Sequence, residues 1–301
     1  MQTQPMRAAV IAADPRVTIP RAGLSGFQRR LVVMAGLGWM FDAMDLGLIS
    51  FVLAGLAHDW GFRLTDTFLG LAGLPIPSVI LSTGLLGMVV GATLAGTLAD
   101  RIGRKRVFQV TLLVYSLATG LSALIPGPAT LGLPGSLTLL LLLRFLVGLG
   151  LGGEFPVASA LVGEWAPTRQ RGRMLVLVES FWAYGWIAAA AVGLLLIPGL
   201  AGGWRWACAL GALPALYVFY LRRHLPESPR YLARRGRTAE ARALLVAAGL
   251  DAAEIALATA PLPATAPVNS LWRQGFARRT LMLWLVWFGA IFSFYGIVGW
   301  L

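Results

Sequence analysis

The sequence predicts an all-α membrane protein, and three observations support this prediction. Hydrophobic residues make up 57% of the 301 residues and charged residues only 13%, about half the charged share of a typical soluble domain. Several apolar runs reach the roughly 20 residues that an α-helix needs to cross a bilayer. Most arginines fall in alternate connecting segments, which is typical of a chain that crosses a membrane repeatedly.

The apolar runs predict six membrane spans, a polar segment and then a seventh span. We expect a tail over residues 1–30, an N-terminal six-helix bundle over 31–221, a basic linker over 222–279 and a seventh transmembrane helix over 280–301. The six spans of the bundle are expected near residues 31–57, 80–99, 107–124, 137–162, 175–197 and 206–221. The uncharged, Pro- and Gly-rich residues 125–136 indicate a tight loop, and residues 239–248 a short amphipathic stretch.

The distribution of cations predicts the orientation in the membrane. The tail, the second, the fourth and the sixth connections carry five, four, three and ten Arg or Lys residues, whereas the connections on the other side carry one, none and one. The positive-inside rule therefore places the N-terminus in the cytoplasm of a multi-pass protein of the cell (plasma) membrane. The net charge of +12 is a consequence of this topology, and we expect the lipid bilayer rather than nucleic acid as the partner.

The sequence contains none of the motifs expected of an ATPase, a metalloprotein or an enzyme. It has no G-x-x-x-x-G-K-[ST] motif for ATP, and its single cysteine (Cys208) and two loop histidines (His58 and His224) form no metal-binding pattern. We find no combination of nucleophile, base and orienting residue. We therefore expect neither a catalytic activity nor a cofactor or metal.

Two carboxylates lie within the first predicted span. At about 1.5 Å per residue, Asp42 and Asp45 lie roughly 16–21 Å along a helix that starts at residue 31, near the middle of the bilayer. Their spacing places them on one helix face. A carboxyl group that can exchange its proton at this depth is what proton coupling requires; the alternative is that the two only cap or pair with a neighbouring helix. Because charges at this depth are costly, we favour a functional role.

Two charged residues lie in the fourth predicted span. Arg144 could bind a substrate carboxylate through a bidentate fork, or it could neutralise Asp42 or Asp45, and the two roles could alternate. Glu154 lies further along, in a glycine-rich segment whose Gly148 and Gly152 permit close helix approach. It could serve in coupling or gating, or make a structural hydrogen bond.

The fifth predicted span begins with a carboxylate followed by aromatic residues. Their spacing of two to four residues could allow stacking against an aromatic substrate in a central cavity, with the last of them deepest. The alternative is an interfacial belt, which Trp and Tyr also favour. The candidate substrate residues of this span are Glu179, Trp182, Tyr184 and Trp186.

The connection between spans two and three carries the most specific motif. The stretch GTLADRIGRKRV resembles the loop 2–3 signature of the major facilitator superfamily. The matching residues are Gly96, Asp100, Arg101, Gly103, Arg104 and Lys105. Glu164, Arg171 and Arg173 resemble the loop 4–5 counterpart, and residues 226–230 (PESPR) resemble the motif after span six of sugar-porter-like members. The resemblance implies a major-facilitator-type fold and a conformational gate at these motifs, where the counterpart of Asp100 meets a helix of the other half.

Other stretches resemble the niacin and aromatic-acid branch of this superfamily. They are GWMFDAMDLGLISF, RFLVGLGLGGEFPVAS, ESFWAYGW and FSFYGIVGWL. The resemblance implies a secondary transporter with alternating access, carrying a small aromatic carboxylate such as niacin or a benzoate-type acid together with protons. A sugar, polyol or other organic-ion porter is the alternative.

The chain ends after the seventh predicted span. From this ending and the resemblance, we expect a fragment that lacks most of a second bundle, and we expect that missing C-terminal half to be a required partner of the complete carrier. A non-functional fragment is a further alternative.

Overall fold

The computed structural model describes residues 23–68, 73–260, 272 and 276–298. Residues 1–22 of the expected tail, part of the linker and residues 299–301 of the expected seventh span therefore lie outside the described residues. Within the described ranges the chain is helical and forms no strand, apart from an isolated bridge between Thr67 and Pro75. The all-α prediction is confirmed.

Eleven helices are present in the described part of the chain. They are α1 (Gly26–Trp60), α2 (Ile76–Ile102), α3 (Arg104–Ser122), α4 (Pro128–Trp165), α5 (Arg171–Leu195), α6 (Gly203–Leu210), α7 (Leu213–His224), α8 (Pro229–Arg234), α9 (Thr238–Ala247), α10 (Ala252–Thr259) and α11 (Ala277–Val298). Of these, α1, α2, α4 and α5 are by length and composition suited to crossing a membrane.

The first span begins earlier than its apolar run. Ser25 precedes α1, and its hydroxyl accepts a hydrogen bond from the Gln28 amide while the Gln28 side chain accepts one from the Ser25 amide. This capping box satisfies two amides that a helix start leaves unpaired. The helix therefore includes Arg29 and Arg30, and it ends at Gly61, whose φ of 68° lies in the left-handed region.

The fourth and sixth spans differ from the prediction. Helix α4 begins at Pro128, inside the expected loop, and is bent at Gly132, which has a φ of 68°. Pro128 lies in the first turn after Gly127, and Pro134 lies just after the bend at Gly132. The first turn of a helical segment needs no amide donors, so a proline there is compatible with the helix. The region of the sixth predicted span is two short helices, α6 and α7, separated by Gly211 and Ala212.

Buried apolar side chains form two clusters, one toward each end of the bundle. The cluster nearer the α2–α3 turn includes Leu31, Leu112 and Leu161, and the other includes Leu53 and Trp204. We call the end that carries the α2–α3 turn the basic end. Along α1, α3 and α4 the two clusters meet where polar residues are buried.

Glycines allow α2 and α4 to pack with their backbones in contact. A Cβ added to Gly148 would collide with the Gly84 carbonyl, and one added to Gly152 would collide with the Met88 carbonyl. On α2, Gly91 faces the Leu149 carbonyl in the same way. The expected close approach at Gly148 and Gly152 is thus observed, and α2 is its partner.

We predict that Gly148→Ala destabilises the bundle whereas Gly96→Ala does not. Both changes gain helix propensity, but the Gly148 Cβ overlaps backbone atoms, which typically costs about 1–3 kcal/mol, while nothing lies within 4 Å of a Cβ at Gly96. Thermal unfolding of the detergent-purified variants measures the difference. Equal unfolding temperatures for the two variants would contradict the close packing of α2 and α4.

Candidate functional site

Asp45 of α1 is buried at the junction of the two apolar clusters, and its carboxylate is held by α3 and α4. The Thr119 hydroxyl donates a hydrogen bond of 2.6 Å to Asp45 Oδ1. On the other side, Arg144 Nη1 lies 3.8 Å from Asp45 Oδ2. Three helices therefore meet at one ion pair, and the structure pairs Arg144 with Asp45.

The guanidinium of Arg144 is buried but is only partly hydrogen-bonded. Nη2 donates a long hydrogen bond of 3.4 Å to the Ser122 hydroxyl, and Nε has no hydrogen-bond partner among the described residues. Only 6% of Arg144 is exposed. An arginine with a loose carboxylate contact and an unused N–H donor is able to bind a second carboxylate by donating two parallel hydrogen bonds to it.

A cavity of about 230 Å³ opens beside this ion pair. Its polar lining comes from Asp45, Ser50, Arg144 and Trp186, and its other lining residues are apolar or glycine. They are Leu46, Ile49, Ile80, Leu81, Gly84, Leu85, Met88, Val147, Gly148 and Leu151. Drug-sized ligands occupy sites of about 300–1,000 Å³, so this cavity suits a smaller ligand.

Asp42 and Glu154 lie together but do not line this cavity. Both are almost completely buried, and neither carboxylate makes a hydrogen bond within the described structure. Glu154 and the Tyr115 hydroxyl of α3 face Asp42. Although Asp42 and Asp45 share a helix face, the structure thus gives them different neighbours.

The aromatic residues of α5 separate into different environments. Trp186 lines the cavity. Trp182 instead packs on Trp39 of α1 with a centroid distance of 4.5 Å, while Tyr184 is 59% exposed. Glu179 is exposed and interacts with Trp39. Of the predicted substrate residues, Asp45, Arg144 and Trp186 therefore meet at the cavity.

The polar residues of α3 are not among the residues predicted from sequence. Tyr115, Thr119 and Ser122 are spaced by four and three residues, so they occupy one helix face, and all three are buried against the ionisable residues of α1 and α4. Trp39 and Phe155, whose rings lie 4.4 Å apart, were also missed. The spacing of the α3 hydroxyls within an apolar run was the signal that could have indicated this face.

A second polar network lies at the basic end, around the α2–α3 turn. Gly103 makes the turn with a φ of 103°, in the region that favours glycine. Arg104 then contacts Asp100 at 2.7 Å and Glu164 of α4 at 3.3 Å, and it donates to the Ala99 carbonyl at 3.2 Å. One buried guanidinium therefore ties α2, α3 and α4 together.

The segment after α7 folds back onto this turn. The Glu227 carboxylate accepts a hydrogen bond of 3.1 Å from the Lys105 amide at the start of α3, where a carboxylate is favoured by the helix dipole. Ser228 donates its hydroxyl to Glu164. Arg234 of α8 reaches Asp100 at 3.3 Å. We call Asp100, Arg104, Glu164, Glu227, Ser228 and Arg234 the basic-end network.

Several residues predicted for gating lie outside the basic-end network. The Arg101 carbonyl accepts a hydrogen bond from Arg235, so the Arg101 backbone rather than its charge contacts the linker. Gly96 and Arg173 are exposed, and Arg171 is half-buried. The sequence motif thus contains both residues that pair within this chain and residues that face outward.

The fold and its site define a class of protein. Apolar helices of membrane-crossing length surround a cavity with a buried ion pair, and this is the architecture of a polytopic membrane protein. A family model described as "Sugar (and other) transporter" matches residues 45–298. The chain belongs to this family, which confirms the superfamily resemblance. The comparisons are with transporters rather than enzymes.

Two relatives are similar over most of this chain. The niacin transporter NiaP of Acinetobacter baylyi is 46% identical over 281 residues, which are 91% of this chain and 59% of the relative. The putative niacin/nicotinamide transporter NiaP of Bacillus subtilis is 42% identical over 274 residues, 91% of this chain and 58% of the relative. The chain therefore spans less than two thirds of the length of either.

A solved structure has a similar fold. The proton:xylose symporter XylE of the major facilitator superfamily superposes with a TM-score of 0.66 at 20% identity. The similarity covers 77% of this chain and 52% of the symporter.

We predict that Arg104→Met loosens the segment that folds back on the α2–α3 turn. The change removes the contacts that hold Asp100 and Glu164, the two carboxylates to which Arg234 and Ser228 of the segment bind. A loss of roughly 1–2 kcal/mol would raise the open fraction about 5–30-fold. Limited trypsin digestion measures this opening, because the segment is rich in arginine. The control is Glu240→Gln, which removes only an exposed pair with Arg237. Equal cleavage rates in both variants would contradict the role of Arg104.

Proposed function

We propose that this protein is the substrate- and proton-binding part of a secondary transporter that takes up a small aromatic carboxylate, such as niacin or a benzoate-type acid, by alternating access. The observation that carries the proposal is the cavity in which Arg144 and Asp45 lie beside Trp186 and an otherwise apolar wall. The names of the two relatives agree with a niacin-like substrate.

The chemistry of the cavity favours an aromatic acid over a sugar. Arg144 supplies a guanidinium fork for one carboxylate, and Trp186 with the neighbouring Leu, Ile and Met side chains supplies a surface for a flat ring. A sugar would need many hydrogen-bonding groups in a buried site, because each unpaired hydroxyl costs free energy. A sugar, polyol or other organic ion remains the second candidate, on the basis of the family alone.

Proton coupling follows from competition for Arg144. While Asp45 is charged, it holds the guanidinium. A proton on Asp45 removes this competing charge, so that Arg144 binds the substrate carboxylate, and loss of the proton returns Arg144 to Asp45. Substrate and proton therefore bind together, as symport requires.

The basic end is the cytoplasmic end in this proposal, with the N-terminus inside the cell and seven spans along the chain. The basic-end network serves as the gate. Its surface charges are those that the positive-inside rule keeps in the cytoplasm. In the complete carrier the exposed faces of the bundle would contact a second bundle.

Replacing Arg144 is expected to weaken binding of nicotinate. Arg144→Lys keeps the charge but loses the planar fork, and we expect about tenfold weaker binding, or about 1.4 kcal/mol; Arg144→Gln should lose more. Scintillation proximity with labelled nicotinate and the purified chain in lipid nanodiscs measures the affinity. The exposed Arg237→Lys is the control. Unchanged affinity in Arg144→Gln, or displacement of nicotinate by xylose but not by benzoate, would refute the aromatic-acid proposal.

Nicotinate binding is expected to strengthen as the pH falls from about 8 to about 6. A carboxyl group in water has a pKa near 4, so nicotinate stays ionised over this range, and protonation of Asp45 releases Arg144. In Asp45→Asn the competing charge is absent at every pH, so binding should become independent of pH. Asp66→Asn, a change in an exposed loop, should behave like the native chain. Binding by the native chain that ignores pH would remove Asp45 from the coupling role.

A further inference from the structure

Asp42 and Glu154 form a pair of buried carboxyl groups without any cation. Asp42 is 1% exposed and Glu154 is fully buried. In the described part of the chain no Arg or Lys side chain lies within ion-pair distance of either carboxyl. Arg144, the nearest buried cation along α4, contacts Asp45 instead. Two charges in such surroundings would cost many kcal/mol, so this pair must bind something positive.

Three other side chains lie around the pair, one each from α1, α3 and α7. Tyr115 of α3 directs its hydroxyl toward Asp42, and this hydroxyl is fully buried with no other partner among the described residues. Asp45 lies one turn along α1, and Tyr217 of α7 faces Glu154. Each of these groups is acidic or neutral. A buried phenol directed at two carboxyls that have no cation indicates a site built for a ligand.

Glu154 reaches this position because α1 has a glycine there. A Cβ on Gly38 would lie 2.5 Å from Glu154 Oε1, which is too close for two unbonded atoms. Gly38 precedes Asp42 by one helical turn, so both occupy the same face of α1. The absence of a side chain at residue 38 therefore lets the α4 carboxyl lie directly against α1, beside Asp42.

We propose that Asp42 and Glu154 together hold one proton, in a site separate from the cavity that contains Asp45 and Arg144. At any moment one carboxyl carries the proton and the other carries the negative charge. The Tyr115 hydroxyl stabilises the pair by donating a hydrogen bond to it. The site favours a proton over a metal ion, because the described residues offer no cluster of three metal-binding side chains.

This site has a consequence for transport that rests on the proposed carrier function. Asp42 belongs to α1 and Glu154 to α4, so the bound proton joins two helices that both line the cavity. Release of the proton leaves two like charges between these helices and favours their separation. The proton of this pair would then control helix position, whereas the proton of Asp45 controls substrate binding.

Infrared spectroscopy tests the shared proton without substrate. The purified chain is studied in dodecyl maltoside, a detergent without carbonyl groups, at pH 8, where Asp45 is charged in the proposed function. We expect a carboxylic-acid carbonyl band that is lost in Asp42→Asn with Glu154→Gln. Each single variant should keep the full intensity, because one carboxyl then carries the one proton. Glu240→Gln, which removes an exposed carboxyl, should leave the band unchanged.

Tyr115→Phe provides a conservative second variant, since it removes only the hydroxyl. The carbonyl band should move to higher wavenumber, because the carboxyl group loses its hydrogen-bond donor.

Three results with the native chain and the variants would overturn the proposal. They are the absence of the band from the native chain, a band that persists in the double variant, and a band that halves in each single variant, which would indicate two independent protons. Loss of the band when sodium chloride replaces choline chloride would also overturn it and assign the site to a cation. Nicotinate binding is measured separately, so an intact band without nicotinate binding would refute the transport proposal alone.

Discussion

The structure depends on how it buries charged groups inside an apolar helical bundle. Asp45 and Arg144 meet where the two apolar clusters join, and Thr119 of α3 donates a hydrogen bond to Asp45. An isolated charge at this position would cost many kcal/mol, so α1, α3 and α4 are constrained to the arrangement that brings these residues together. The pair is loose, at 3.8 Å, and this looseness agrees with the proposed binding of a ligand carboxylate by Arg144. The same contact therefore specifies the fold and provides the proposed binding chemistry.

Glycines allow the close helix contacts that position these charges. Gly148 and Gly152 bring α4 against α2, and Gly38 admits Glu154 beside α1. Side chains at these positions would push the helices apart and would separate the buried carboxyls from their neighbours. The cavity lies along the α2–α4 contact and includes Gly84 and Gly148 in its wall. Glycine thus determines both where the helices meet and how much room remains for a ligand.

Charge pairing also organises the basic end. Arg104 contacts Asp100 and Glu164, while Glu227 caps the start of α3. The charged residues that predict orientation from sequence therefore include some that join helices within this chain. Because the Asp100 side chain is 48% exposed, its pairs with Arg104 and Arg234 contribute little free energy, which agrees with the proposed role of this network as a gate.

The sequence by itself determined the all-α membrane class, the family, and most helix positions, because hydropathy and a few specific motifs are local properties. It also identified Asp45, Arg144 and Trp186 as candidates. Only the tertiary structure decided that Arg144 pairs with Asp45, that Asp42 faces Glu154, and that Trp182 packs on Trp39 instead of lining the cavity. The breaks at Gly132 and Gly211 also required it. A periodic pattern gives the face of a helix but not the neighbour that this face meets, and that neighbour is set by packing among residues far apart in the chain.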